Sequence, residues 1–297
     1  MDAPGRPAFD LARLVAAARV VHPFPSLLDG AVVALIALVA GESAPLALVL
    51  GASMTCLQFA IGAVNDIVDA PFDEGVRLGK PIPDGIVSPR RARVVAAASA
   101  AIGLVLALVG GPGLVLLALV GLGIGLAYDL WAKGTTLSWL PFAIGVPLLP
   151  VYGWYGATGE IPGLFLVLVP AAANAGTALA ISNAIVDMER DEEAGNRSIA
   201  LALGPEKASG VVLALQLVVA FLAVATTAAL GAPTGWVLAV LVSTLVPLGG
   251  AVLGIAAAVR EGTGLRELAF EVQAVGTGLL AVAWLAALSA SQAASGA

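Results

Sequence analysis

The sequence predicts an all-α integral membrane protein of about nine transmembrane helices, and three observations carry that expectation. The 297 residues are 60% hydrophobic and only 11% charged, with a mean hydropathy of +1.00, whereas a water-soluble domain carries about 25% charged residues. Nine apolar segments are long enough to cross about 30 Å of hydrocarbon at ~1.5 Å per residue. When those segments are threaded in order, all fourteen lysines and arginines fall on the side of the N-terminus.

The elements follow in order. Residues 1–20 hold three arginines and two aspartates among apolar residues, without the continuous core and cleavage site of a secretory signal, and Phe9 to Val20 is expected to form an interfacial amphipathic helix. The spans are expected at approximately 24–42, 46–65, 92–110, 112–130, 136–155, 161–186, 208–230, 235–258 and 268–290. Together they make one membrane domain over residues 1–297. The connections opposite the N-terminus are short, and Glu42 and Glu160 are their charged residues. By the positive-inside rule the N-terminus and the loops after the second, fourth, sixth and eighth spans are cytoplasmic, in a cell inner (plasma) membrane. Thirty-five glycines and many alanines suit close helix packing in lipid. Trp131 and Trp139 at one end of the fifth span, and Tyr152, Trp154 and Tyr155 at the other, fit interfacial belts. Cys56 lies alone in an apolar stretch, so no intrachain disulfide forms. A net charge of -6 and a pI of 4.8 argue against nucleic-acid binding.

Two cytoplasmic loops, 66–91 and 187–207, are long and polar, and each begins with nearly the same string. Asn65-Asp-Ile-Val-Asp-Ala-Pro-Phe-Asp73 and Asn183-Ala-Ile-Val-Asp-Met-Glu-Arg-Asp191 share Asn, Ile, Val and both later aspartates at an offset of 118 residues, the difference between 183 and 65. That offset implies a duplication of about four spans, giving a 4+4 pseudo-repeat with the ninth helix unpaired. Helical spacing puts Asn65, Asp69 and Asp73 on one stripe, and likewise Asn183, Asp187 and Asp191, with Pro71 expected to bend or end the first copy.

Carboxylates crowded at the inner ends of two helices repel one another unless a cation neutralises them, and a hard divalent ion prefers oxygen ligands. Mg²⁺ shares its sphere with substrate phosphates, so two facing clusters suggest a diphosphate bridged through metal. Arg77, Lys80 and Arg197 follow the motifs and suit phosphate oxygens, and Lys133 lies in the intervening loop. Arg90, Arg91, Arg93 and Arg266 read instead as ordinary positive-inside residues.

These residues resemble the UbiA-type intramembrane aromatic prenyltransferases. Asn65 to Asp73, followed by Arg77-x-x-Lys80-Pro-Ile-Pro-x-Gly85, is similar to that family's first signature; Asp187 to Asp191 with Gly195 and Arg197 resembles its second, and Tyr128 to Lys133 a shorter element. The resemblance implies a central cavity open to lipid, with Asp66, Asp69, Asp73, Asp187 and Asp191 binding Mg²⁺ and serving catalysis. Asn65, Arg77, Lys80, Lys133 and Arg197 would hold the polyprenyl diphosphate, and His22, Asp29, Tyr128 and Asn183 would face the acceptor. The implied reaction is transfer of a prenyl group to a small aromatic or quinone-precursor acceptor after ionisation of the allylic diphosphate. One departure is His22-Pro23, where many relatives that take a carboxylated aromatic have Arg-Pro. A neutral imidazole holds a carboxylate less well, which weighs against 4-hydroxybenzoate. Asp29, an intramembrane carboxylate, is a functional candidate, and Glu267 and Glu271 sit four apart at the inner end of the last span. The alternatives are a membrane terpene cyclase with the same ionisation chemistry and, from another class, a secondary transporter, against which the carboxylates cluster at helix ends rather than at the midplane.

Overall fold

The computed structural model describes residues 11–75, 79–258 and 263–295, and every regular element among them is helical. α1 (Leu11–Ala18) passes through a 3-10 turn (Arg19–Val21) into α2 (Pro23–Val39), which leaves it at 58°. His22 makes that bend with a φ of 48°, the one positive φ outside glycine among the described residues, and Pro23 starts the next helix where a missing N–H costs nothing. α3 (Ala44–Asp73) returns antiparallel to α2. α4 (Pro89–Ala107) and α5 (Gly111–Ala127) are separated by a 3-10 turn at Leu108–Gly110, and α5 ends in a π-helical turn, Tyr128–Ala132. Then come α6 (Trp139–Thr158), α7 (Phe165–Val186), two short helices α8 (Met188–Glu193) and α9 (Ile199–Leu203), α10 (Pro205–Ala229), α11 (Thr234–Ala258) and α12 (Gly264–Ser295).

Long helices stand at each expected segment, but among the described residues the number that are both long and apolar enough to cross a membrane is six, or seven if the bent pair of α1 and α2 is one span, which does not confirm the expected nine. The difference has three sources. α2 is only 17 residues long, α6 is diluted by Pro141, Pro147, Pro150 and four Trp and Tyr residues, and Pro89–Ala132 reads as a single 44-residue run. The N-terminal helix is described from Leu11, and Phe9, where it was expected to start, lies with Met1–Asp10 outside the described residues. Val20 is buried against Ile82, Val87 and Ala92, so this segment docks on the loop after α3 and the start of α4. Two of the expected belt aromatics are core residues: Tyr152, 1% exposed, shares a 2.7 Å hydrogen bond with Ser53, and Trp154 packs edge-on against Phe165. Trp131 remains exposed, as a belt residue would be.

Packing repeats between the halves. α2 packs on α3, α3 on α4 and α4 on α5, and in the same order α6 packs on α7, α7 on α10 and α10 on α11. The unpaired α12 lies on α11, α7 and α2. α2 and α3 touch backbone to backbone: a Cβ on Gly30 would stand 2.7 Å from the carbonyl oxygen of Gly51. Higher up, Gly62 gives the same clearance to Val21 and His22. Between the halves is a cavity of about 730 Å³ walled by α2, α3, α5, α6, α7 and α12.

Candidate active site

The first motif ends a helix. α3 continues through Pro71 to Asp73, so the proline, expected to bend or end the helix, does not end it there; placed in the last turn, Pro71 removes one hydrogen bond where the ladder is already finishing. Asp66 and Asp73 are each 2% exposed, and Lys80 from the following loop reaches both, with Nζ 2.7 Å from Asp66 Oδ1 and 3.5 Å from Asp73 Oδ2. His22 Nε2 approaches the same Asp66 oxygen at 3.1 Å. Asp69 accepts from Lys133 at 2.5 Å, and Asn65 donates to Asp129 Oδ1 at 2.8 Å. Arg77 lies outside the described residues.

The second motif is built differently. α7 stops at Val186, Asp187 takes a φ of -92° and ψ of 5°, and α8 starts anew with Glu189 and Asp191 in its first turn, where carboxylates oppose the positive end of the helix. The expected stripe is therefore broken after Asp187. Asn183 and Asp187 line the cavity, but Asp191 does not; it accepts a hydrogen bond from Asn196 at 2.9 Å. Arg197 is exposed and away from the cavity, its backbone N–H donating to Gly134 O at 2.9 Å. The cation beside Asp187 is Arg190, which ion-pairs with Asp187 and places Nη1 3.6 Å from Asp73 Oδ1, joining the two motifs.

Farther in, Tyr128 lines the cavity and stacks edge-on against Phe142 at 5.2 Å. Asp29 faces inward rather than reaching the interface, and its Oδ2 accepts from Gln58 Nε2 at 2.7 Å. Glu267 and Glu271 of α12 line the opposite wall.

The sequence model of the UbiA prenyltransferase family matches residues 28–270. This chain belongs to that family. A 4-hydroxybenzoate octaprenyltransferase of Vibrio atlanticus (strain LGP32) is 27% identical over 143 residues, 48% of this chain, and the match spans only about half (50%) of that relative. Among solved structures, the apo UbiA homologue of Aeropyrum pernix K1 matches with a TM-score of 0.69 at 24% identity, covering 89% of this chain and 97% of that one. A UbiA homologue of Archaeoglobus fulgidus bound to GPP and Mg²⁺ matches at 0.65 and 18% identity, covering 89% and 99%.

Within this UbiA family member the donor chemistry fits a hard divalent ion. Asp66 Oδ2 and Asp129 Oδ2 are buried and accept no hydrogen bond, and Asp73 Oδ2 has only the 3.5 Å approach of Lys80, a costly state for carboxylate oxygens that have no ligand of their own. Among the described residues no three acidic or histidine side chains yet converge as a metal cage does, because Lys80, Lys133 and Arg190 stand against the motif carboxylates. Three participants escaped the sequence reading. Asp129 is 4% exposed and belongs to neither repeat copy; its signal was a carboxylate inside the apolar run Leu126-Ala-Tyr-Asp-Leu-Trp131. Arg190 was hidden inside the motif it serves. Arg266, read as an ordinary positive-inside residue, is 8% exposed and donates to Glu189 at 2.6 Å, fastening α12 to α8.

Proposed function

We propose that this chain is a Mg²⁺-dependent enzyme that transfers a prenyl group from a polyprenyl diphosphate to a small aromatic or quinone-precursor acceptor, with its N-terminus and both aspartate loops cytoplasmic in a plasma membrane. The observation that carries the reading is the convergence of Asp66, Asp69 and Asp187, from two different helices, on one cavity beside Lys80, Lys133 and Arg190. Family membership and the GPP-bound and Mg²⁺-bound homologue support it.

Asp66, Asp69, Asp73 and Asp187 would hold the metal, with Asp129 and Asn65 fixing its neighbours, and Asp191 acting through the loop it braces. When bound, Mg²⁺ neutralises the charge that gathers on the departing diphosphate. Lys80, Lys133 and Arg190, with Arg77 of the first motif, would bind phosphate oxygens, whereas Arg197 stands outside the cavity, and groups placed in advance stabilise developing charge without reorganising. The allylic cation is then enclosed by Met54, Leu57, Ile61, Leu149 and Phe142, which exclude water. Tyr128, Asn183 and Asp29 would face the acceptor, while His22, expected from the sequence to do so, stands on Asp66 at the diphosphate end.

Purified protein with Mg²⁺, geranylgeranyl diphosphate and an acceptor panel, read by mass spectrometry, tests the reading. Asp69→Asn and Asp187→Asn are each expected to lower diphosphate release by at least about 100-fold, the scale of one electrostatic stabiliser. Unchanged turnover in both would sink the proposal, and a hydrocarbon formed from the diphosphate alone would replace transfer with cyclisation.

A further inference from the structure

We propose that α12 is a splint across the break between α7 and α8, and that Arg266 and Gln273 are the positioning residues through which it sets Asp187 and Arg190; this rests on the prenyl-transfer reading above. Two polar rungs tie α12 to the second motif. Gln273 Nε2 donates to Ser182 Oγ of α7 at 2.9 Å, and Arg266 Nη1 donates to Glu189 Oε1 of α8 at 2.6 Å. Seven residues separate the partners on each side, Arg266 from Gln273 in α12 and Ser182 from Glu189 across the motif, so two antiparallel turns match over about 10 Å. Asp187 lies between the rungs. It is also where α7 stops, with a φ of -92° and ψ of 5°, before α8 restarts at Met188.

The break needs such a support. α8 is six residues long, below the ~12–15 that a helix needs to persist by itself, so its direction is set by what it touches. Met188 packs into the buried cluster that α7, α9, α10 and α11 share, Arg190 reaches Asp73 at the end of α3, and Glu189 is the contact to α12. Glu189 adjoins Arg190, so the outer rung acts beside the cation that joins the two motifs.

The splint itself is firmly backed. A Cβ on Gly250 of α11 would stand 2.8 Å from Gln273 N, and one on Gly276 of α12 would stand 2.5 Å from Pro247 N, so α11 and α12 touch backbone to backbone. Gln273 is fully buried and Arg266 nearly so, and the low local polarity strengthens both hydrogen bonds. Between the rungs Glu267, Phe270 and Glu271 line the cavity, at the i, i+3, i+4 spacing of an adjoining helix face. The first motif has no such support, because α3 runs unbroken to Asp73. The helix left over from the two-half packing therefore serves the one motif copy whose helix is broken.

Hydrogen exchange of the full chain in nanodiscs, without metal or substrate, reads the splint directly. The amides of Asp191 and Ala194 report on α8, since each donates at 2.9 Å, to Asp187 O and Arg190 O. In Arg266→Gln both are expected to exchange about 10-fold faster, the scale of one lost charge-assisted hydrogen bond, while α2 to α6 exchange as in wild type. Gln273→Leu, which removes the inner rung, should act in the same direction. The Kd of Arg266→Gln for geranylgeranyl diphosphate with Mg²⁺, measured without acceptor, is expected to rise about 10-fold as Asp187 and Arg190 lose alignment. Glu189→Arg combined with Arg266→Glu restores the pair in reverse and should recover part of both losses.

Wild-type exchange of Asp191 and Ala194 in Arg266→Gln or in Gln273→Leu overturns the splint. Faster exchange throughout the bundle makes Arg266 a general stabiliser and overturns it too, and an unchanged Kd despite faster local exchange removes the positioning role. Should Arg266→Gln not fold, Glu189→Gln carries the same test, because the Glu189 side chain is 54% exposed. A wild type that neither binds nor cleaves geranylgeranyl diphosphate refutes the prenyl-transfer reading itself, and exchange alone then decides whether α12 splints the break.

Discussion

At the scale of single residues, the cations of the site are held on the carboxylates that would bind metal. Lys80 contacts Asp66 and Asp73, Lys133 contacts Asp69, and Arg190 contacts Asp187 and Asp73. Each carboxylate is thereby compensated without metal, which low-polarity surroundings require. In the proposed reading, a metal and a diphosphate arriving together would let both sets exchange partners, cations to phosphate and carboxylates to metal. Arg190 tests this, because it reaches both motifs. Arg190→Gln removes a charge-assisted hydrogen bond of about 1.5–3 kcal/mol, so the KM for prenyl diphosphate is expected to rise about 10- to 100-fold. Arg190→Lys should fall between, since an ammonium lacks the guanidinium fork. Steady-state KM against kcat with varied diphosphate checks it, and an unchanged KM in Arg190→Gln removes Arg190 from the site. Residues of this kind were only partly legible. Asp66, Asp69, Asn183 and Asp187 could be found because a repeated string marked them. Asp129 and Arg190 could not, because their roles arise from contacts across 64 and 117 residues of chain, Asn65 to Asp129 and Asp73 to Arg190.

At the scale of elements, periodicity announced the helices but not where they break. The two motif copies look alike in sequence, yet α3 runs to Asp73 while α7 stops at Val186. The second copy carries Met188-Glu-Arg-Asp-Glu-Glu193, and its acidic residues favour the start of a new helix, so Asp191 and Arg197 leave the cavity. The first copy has no such restart, and its proline comes too late to matter. How near α2 and α3 approach is likewise set by a tertiary contact, the crossing at Gly30 and Gly51. That crossing adjoins Asp29 and brings it within reach of Gln58. Gly30→Ala would place a methyl 2.7 Å from the Gly51 carbonyl oxygen, which belongs to backbone and cannot swing aside. The expected cost is about 1–3 kcal/mol from overpacking, read as a lower unfolding temperature in detergent. Gly249→Ala, whose added methyl meets open space, serves as the control and should leave that temperature unchanged or raise it slightly.

At the scale of the whole molecule, fourteen basic residues and the helix order speak to how often the chain crosses the bilayer. The undecided stretch is Pro89–Ala132, which passes as one apolar run of 44 residues. At ~1.5 Å per residue a straight helix of that length would extend about 66 Å, twice the hydrocarbon thickness, and no tilt accommodates it. The 3-10 turn at Leu108–Gly110 and the positive φ of Gly111, 74°, let the chain reverse there, and α4 packs on α5. Two crossings then put Val109 on the face opposite the motifs, together with Glu160 between α6 and α7, while Glu192 in α8 stays with the motifs. Cys56 is the natural cysteine, so Cys56→Ser supplies a clean background for Val109→Cys, Glu160→Cys and Glu192→Cys. With a membrane-impermeant maleimide, intact cells should label the first two and not the third, and inside-out vesicles should give the reverse. Labelling of Val109→Cys from the same side as Glu192→Cys would make Pro89–Ala132 something other than two spans. It would also leave the side facing away from the motifs with fewer connections than the two-half packing requires.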